Sequence, residues 1–284
     1  MIVYGVVINL SETRDLIFKS RQKTYYLKVP KSLFQKFEAL LIENQRCVLK
    51  IKHDKTQVRL LDILKVYNLG AKKLIPTFHQ HHLVNSIQHL IQNLDYTLFL
   101  DFEMSMHPYH YDPDFISEII QVGYVLKDTR GETIKTYQSF IKPELFKELT
   151  KRTLKFLSIT QEDVNKGTSF SVFYQDLKKI LIKYNPAIMV WGSNDSQVLF
   201  QTLERMRLSE DIQLFRFIDL LKIHKQVLMK KDDIGLQTAY QMYGYQALTP
   251  QKHDALEDAL MTSKVYQGFT QYLKGQRKLS FQKG

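Results

Sequence analysis

The chain has almost no cysteine: one residue, Cys47, among 284. That excludes an internal disulfide and a cysteine-based zinc site, and it fits a reducing, cytoplasmic setting. Glycine and proline are also scarce, at eleven and seven, so collagen-like and low-complexity architectures are out. No apolar run approaches the roughly 18–20 residues that a membrane-spanning helix needs. The opening "MIVYGVVINLSETRD" lacks a basic leader and a small-residue cleavage site, and reads as a strand. What remains is an ordinary globular composition, 44% hydrophobic and 24% charged.

The formal charge of +11 is unevenly placed. Residues 1–94 hold fifteen Lys and Arg against six Asp and Glu, a net of +9, and the rest of the chain holds only +2. A concentrated basic surface is the usual footprint of a module that binds polyanions. This first third is also β-rich. Short segments such as "MIVYGVVINL", "LIFKS" and "KTYYLKVP" alternate with polar turns. A helix, "SLFQKFEALLI", follows Pro30 with Ser32 as its expected cap. "RCVLKIKH" and "QVRLLDILKVYNL" flank "DK" as a hairpin. Residues 1–75 therefore read as a small mostly-β barrel of the OB kind. Arg46, Lys50 and Lys52 share one face of an alternating strand opposite Cys47, Leu49 and Ile51, and are the candidate nucleic-acid contacts of this module.

Residues 76–94 read as a helical linker, with Leu83, Val84, Ile87, Leu90, Ile91 and Leu94 at helical spacing. Four histidines lie there (His79, His81, His82 and His89), but no cysteine or acid nearby completes a metal ligand set. From residue 95 the pattern becomes α/β. "YTLFLDFEM", "EIIQVGYVLKD" and "TIKTYQSFIKP" read as three antiparallel strands. Helices are expected around 144–157 and 170–184, then a strand "AIMVWG". A helix from about Ser196, a short strand "FRFIDL", a helix around 234–243 and a last helix from 254 complete the order. That order predicts a ribonuclease H-like domain, a mixed five-stranded sheet flanked by helices, over 95–284.

"LFLDFE" poses a problem within this domain. Asp101 and Glu103, at i and i+2 on a strand, point to the same face. Like charges held side by side repel, and burial makes them costlier still. Two more acids fall where a sheet edge and a helix can join them: Asp195 in "VWGSNDSQVLF", and Asp258 in "QKHDALEDALMTSKVY". Asp254 and Glu257 form an Asp-x-x-Glu capping pattern, which leaves His253 just outside the helix.

These residues resemble the DEDD superfamily of 3′→5′ exonucleases, in its histidine-bearing DEDDh branch. The matching residues are Asp101, Glu103, Asp195, His253 and Asp258, supported by "SEIIQVGYVL", "LSITQEDV" and "IGLQTAYQMYG". "DFEMSM" and "WGSND" lean towards the branch of KapD-like bacterial proteins and eukaryotic small-RNA exonucleases. Ser158 departs from the family's frequent Gly or Thr, and Met104 from the Thr of proofreading members. The resemblance covers about 95–273. It implies hydrolysis from the 3′ end of single-stranded nucleic acid, most often RNA, releasing nucleoside 5′-monophosphates. The alternatives are a DNA repair or proofreading nuclease and a catalytically idle nucleic-acid-binding protein.

The chemistry agrees with that resemblance. Two divalent ions about 4 Å apart neutralise the attacking and leaving oxygens of a phosphodiester. Hard carboxylate oxygens suit Mg²⁺ or Mn²⁺, so Asp101, Glu103, Asp195 and Asp258 are the candidate metal ligands. His253, with an ordinary pKa of roughly 6.5, suits proton abstraction from the attacking water near neutral pH. Phe102, Met104 and Asn194 beside these motifs are candidate substrate contacts. So is Tyr109 in "HPYHYDPDF", a loop that reads equally as surface packing. Trp191, the only tryptophan, reads as core beside Asp195 or as a stacking partner for a terminal base.

Overall fold

A computed structural model of the chain describes residues 1–21, 23–38, 40–41, 43–54, 57–67, 76–110, 112–228, 230, 232–246 and 253–280. For 76–82, 209 and 210 it describes the backbone alone. The chain divides into two compact units, Met1–His89 with Lys225–Asp232, and Leu90–His224 with Asp233–Gly284. No helix among the described residues is long and apolar enough to cross a membrane.

In the first unit, β1 (Ile2–Leu10), β2 (Asp15–Ser20) and β3 (Lys23–Lys28) precede α1 (Lys31–Phe37). β4 (Arg46–His53), β5 (Val58–Tyr67), β6 (Pro76–His79) and α2 (Gln80–Gln92, whose last three residues fall in the second unit) follow. All strand pairings are antiparallel, in the order β3-β2-β1-β4-β5-β6. Period-two alternation sends Val3, Val7, Phe18, Leu27, Leu49 and Ile51 inward, where Leu33 and Phe37 of α1 complete the core. β3 and β5 approach one another across the curled sheet.

Ser32 is not the cap of α1. Pro30 holds that position at φ −56° with no side-chain cap, because its ring already fixes the backbone angle that a helix entry needs. The helix ends at Phe37, short of the expected run to residue 42. Residues 76–79, expected to begin the linker helix, pair with β5 instead. The side chains of His79, His81 and His82 lie outside the described residues.

In the second unit, β7 (Tyr96–Met104), β8 (Ile119–Asp128) and β9 (Thr133–Lys142) form the expected antiparallel set. Then come α3 (Lys151–Leu157), α4 (Gln161–Asn165), β10 (Thr168–Ser169), α5 (Phe170–Tyr184), β11 (Ala187–Val190) and α6 (Asn194–Arg205). A 3-10 turn (Ser209–Leu214), β12 (Arg216–Asp219), α7 (Leu220–Leu228, of which residues from Lys225 fall in the first unit), α8 (Leu236–Met242) and α9 (Ala255–Leu273) follow. The mixed sheet runs β10-β9-β8-β7-β11-β12, with β11 parallel to β7 and to β12. It has six strands rather than five, because the two residues of β10 pair with the end of β9 and are too few to leave a pattern in sequence. Leu98, Leu100 and Phe102 face a core shared with α5 and α6, while the opposite face of β7 and β8 meets α9.

The expected helix over 144–157 begins only at Lys151. Glu118, 2% exposed, takes the backbone N–H groups of Glu144, Leu145 and Phe146 on its carboxylate. Arg205 lies 3.7 Å away. With its amides committed to a buried side chain, that segment has no helical alternative.

Candidate active site

The site grows from the middle strand outward. Asp101 stands opposite Gly123 of β8, and Glu103 opposite Gln121. Gly123 presents no side chain for a physical reason. A Cβ there would lie 2.1 Å from the backbone nitrogen of Leu256 and 2.2 Å from the carbonyl carbon of Ala255. The first turn of α9 therefore rests directly on the strand, which only glycine permits.

Gln121, buried, fixes the orientation. Its Oε1 accepts from the Ala255 N–H at 3.2 Å and its Nε2 donates to Asp254 Oδ2 at 3.0 Å. Gln138 Nε2 donates to the same oxygen at 2.6 Å. The other oxygen of Asp254 caps the helix, accepting from Leu256 and Glu257 N–H. Asp254 thus caps as expected. Among the described hydrogen bonds, though, Glu257 does not return the reciprocal bond of a capping box. The full box instead occurs at α4, between Thr160 and Asp163.

This docking brings distant residues together. Asp258, one turn inside α9, is buried, and His253 lies just before the cap. One ligand atom each from Glu103, His253 and Asp258 lie within 4.8 Å of one another. Asp195, the second residue of α6, is buried and accepts the Phe102 N–H on Oδ1 at 2.9 Å, which ties α6 to β7.

The electrostatics are those of a crowded acid cluster. Burial raises Asp101 well above the ordinary carboxylate range, and the charges of Asp195, Asp258 and Glu103 raise it further. Glu103 is pushed up to about 8 by burial first and then by Asp258 and Asp195. Asp195 rises to about 6; burial outweighs the stabilising N–H of Phe102 and its own amide. The charged groups that act on Asp101 and Glu103 are all acids. A cluster of buried oxygens that repel one another fits divalent ions. His253, partly buried, is held below its ordinary value by desolvation. Its ring stacks on Phe156, centroids 4.3 Å apart and planes at 22°.

The exonuclease family model RNase T matches residues 98–266, well over half of the chain, and spans this whole constellation. The chain belongs to that family. It is a 3′→5′ exonuclease. The probable 3′-5′ exonuclease KapD of Bacillus subtilis (strain 168) is 33% identical over 170 residues, covering 60% of this chain and 82% of KapD. Two solved structures share the fold alone. One, of a 3′-exonuclease in 3′-end-specific recognition of a histone mRNA stem-loop, superposes with a TM-score of 0.54 at 19% identity, over 66% of this chain and 67% of that one. The other, E. coli Exonuclease I with a dT13 oligonucleotide, gives 0.51 at 16%, over 64% and 42%.

Not every expected contact of this exonuclease lies at its site. Phe102 is 2% exposed and packs edge-on against Phe173 in the core. Alternation dictates this: if Asp101 and Glu103 face α9, Phe102 must face the other way. Met104 packs against the same core cluster, for the same reason. Asn194 is exposed beside Asp195, and Tyr109 is 69% exposed in the loop after β7. Trp191 is half-buried and donates its Nε1–H to the Ile234 carbonyl at 2.9 Å. Arg46, Lys50 and Lys52 are exposed on β4 of the first unit, and Lys52 lies 3.8 Å from Asp54. Sequence reasoning missed Gln121, Gly123 and Phe156. For Gly123 a signal existed: a lone glycine inside "IIQVGYVL" marks close backbone approach.

Proposed function

We propose that this exonuclease removes nucleotides from the 3′ end of single-stranded nucleic acid, RNA by preference. The reaction depends on divalent metal and releases nucleoside 5′-monophosphates. The observation that carries this reading is the convergence of Glu103, His253 and Asp258 within 4.8 Å. Asp101, Glu103, Asp195 and Asp258 would hold two Mg²⁺ or Mn²⁺ ions through hard oxygen donors. When bound, such ions supply positive charge to the attacking and leaving oxygens of the phosphodiester.

His253 takes the proton of the attacking water. Desolvation favours its neutral form, the form that can accept a proton. Phe156 restricts the tilt of the imidazole through stacking, so the accepting nitrogen keeps one direction. Asn194 and Tyr109, both exposed, are the proposed contacts to the terminal nucleotides. The preference for RNA is supported by "DFEMSM" and "WGSND", whose resemblance is to RNA-trimming members.

The first unit is proposed as an OB-like nucleic-acid grip. Its strand order β3-β2-β1-β4-β5, the approach of β3 to β5 and the net +9 of residues 1–94 support that role. The deciding experiment incubates the protein with matched 5′-labelled RNA and DNA oligomers, with Mg²⁺, with Mn²⁺ and with chelator. Ladders shortening from the 3′ end with metal, faster on RNA and absent with chelator, are expected. Equal or faster shortening of DNA overturns the RNA preference. Shortening in chelator overturns the metal requirement.

A further inference from the structure

Within the first unit, β1 overhangs its neighbour. Val6–Leu10 pair with β2, whereas Ile2–Gly5 pair only with β4. The β2–β3 hairpin bends over that overhang, and Ser20 Oγ donates to the Tyr4 carbonyl at 2.6 Å. Gly5 makes this approach possible, since a Cβ there would lie 2.2 Å from the Lys19 carbonyl. Between strand and hairpin runs an open groove of about 1100 Å³ whose lining includes Ile2, Tyr4, Lys19, Arg21, Lys23 and Tyr25. Three of those six side chains are cations. Among the described residues, no acidic side chain lines the groove.

Tyr4 is 46% exposed, and its ring is braced edge-on by Tyr67, centroids 5.9 Å apart at 81°. An exposed aromatic ring, held in place and bordered by cations, is a stacking platform for an unpaired base. A duplex keeps its bases stacked on one another and cannot use it. We infer that this groove binds single-stranded nucleic acid, with a base stacked on Tyr4 and backbone phosphates along Lys19, Arg21 and Lys23. The inference rests on the proposed role of the first unit and extends the Arg46 and Lys50 stripe, whose residues pair with Val6 and Ile2 of β1, towards the hairpin.

The test measures fluorescence anisotropy of labelled oligo-U and oligo-dT strands of about 16 nucleotides, the upper site size of a small barrel. Full-length protein is used in chelator, so that nothing is cut. Tyr4→Ala is expected to weaken binding by roughly tenfold or more with the salt dependence unchanged, and Tyr4→Trp to restore it. Lys19→Ala/Lys23→Ala should lower the slope of log affinity against log salt by about 1–2. Binding of either sugar type supports the inference, and the two arms rank ribose against deoxyribose. Wild-type affinity and slope in both groove variants overturn it. If Arg46→Glu/Lys50→Glu then still weakens binding, the first unit remains a grip and only the groove falls; if that pair too is without effect, the grip falls with it. Equal competition by poly-glutamate of matched charge also overturns the inference, because a base platform has no use for a peptide.

Discussion

Asp101 and Glu103 were legible as a same-face pair from their spacing alone, and the same spacing should have sent Phe102 to the core. The raised carboxylates give a pH dependence of definite sign. In metal-free protein Asp195 titrates at about 6 and Glu103 at about 8, both above their unfolded values. Between the ordinary carboxylate range and about pH 8, the folded state therefore binds more protons than the unfolded chain, and stability falls as pH rises. Chelator-treated protein should melt at a lower temperature at pH 8 than at pH 5, and Glu103→Gln should flatten the upper part of that fall. A melting temperature that rises over this window would contradict the cluster's electrostatics. Asp101→Ala should abolish activity while leaving the metal-free fold as stable or more stable, since it removes a repelling charge. His253→Ala is expected to cut turnover by roughly 10²–10⁴-fold with little effect on metal binding measured by calorimetry. Near-wild-type turnover at pH 7 would make His253 structural.

Among elements, the long ones with strong periodicity (β7, β8, α5 and α9) could be read directly. Of the shorter ones, β11 and β12 showed as brief apolar runs, whereas β6, β10 and the tertiary-controlled segments did not. β6 and β10 have too few residues to show a period. The segment before α3 is non-helical only because a side chain 26 residues earlier takes its amides, a fact invisible to any local window. The docking of α9 on β8 makes its own prediction. Gly123→Ala places a methyl group against the helix backbone, where no side-chain rotation can relieve it. Destabilisation of about 1–3 kcal/mol is expected from overpacking, together with a loss of turnover larger than the loss of substrate affinity, because His253 and Asp258 move with the helix. A variant that keeps full turnover would show that α9 can shift without cost to the site. At Ser158, φ is +55° at the end of α3. Glycine takes that left-handed cap position without strain, and serine takes it at a modest cost.

At the scale of the whole molecule, charge and chemistry are separated along the chain. The exonuclease portion has little net charge, so hydrolysis of a trinucleotide should respond weakly to salt. Affinity for long strands should fall steeply with salt, and Arg46→Glu/Lys50→Glu should make that fall shallower by about 1–2 in log–log slope. Equal salt dependence on short and long substrates would place the grip elsewhere. The charge asymmetry was countable from sequence; the groove beside Tyr4 was not, because it depends on a strand overhang set by register. The bond from Gln121 to Asp254 spans 133 residues, and it has a consequence in time. Synthesis runs from the N-terminus, so a ribosome-bound chain holds Asp101, Glu103 and Asp195 long before α9 emerges. Throughout that interval the nascent enzyme lies beside its own messenger with neither His253 nor Asp258 in place. If His253 is the base proposed above, co-translational folding delays catalytic competence until α9 has left the ribosome and found its strand.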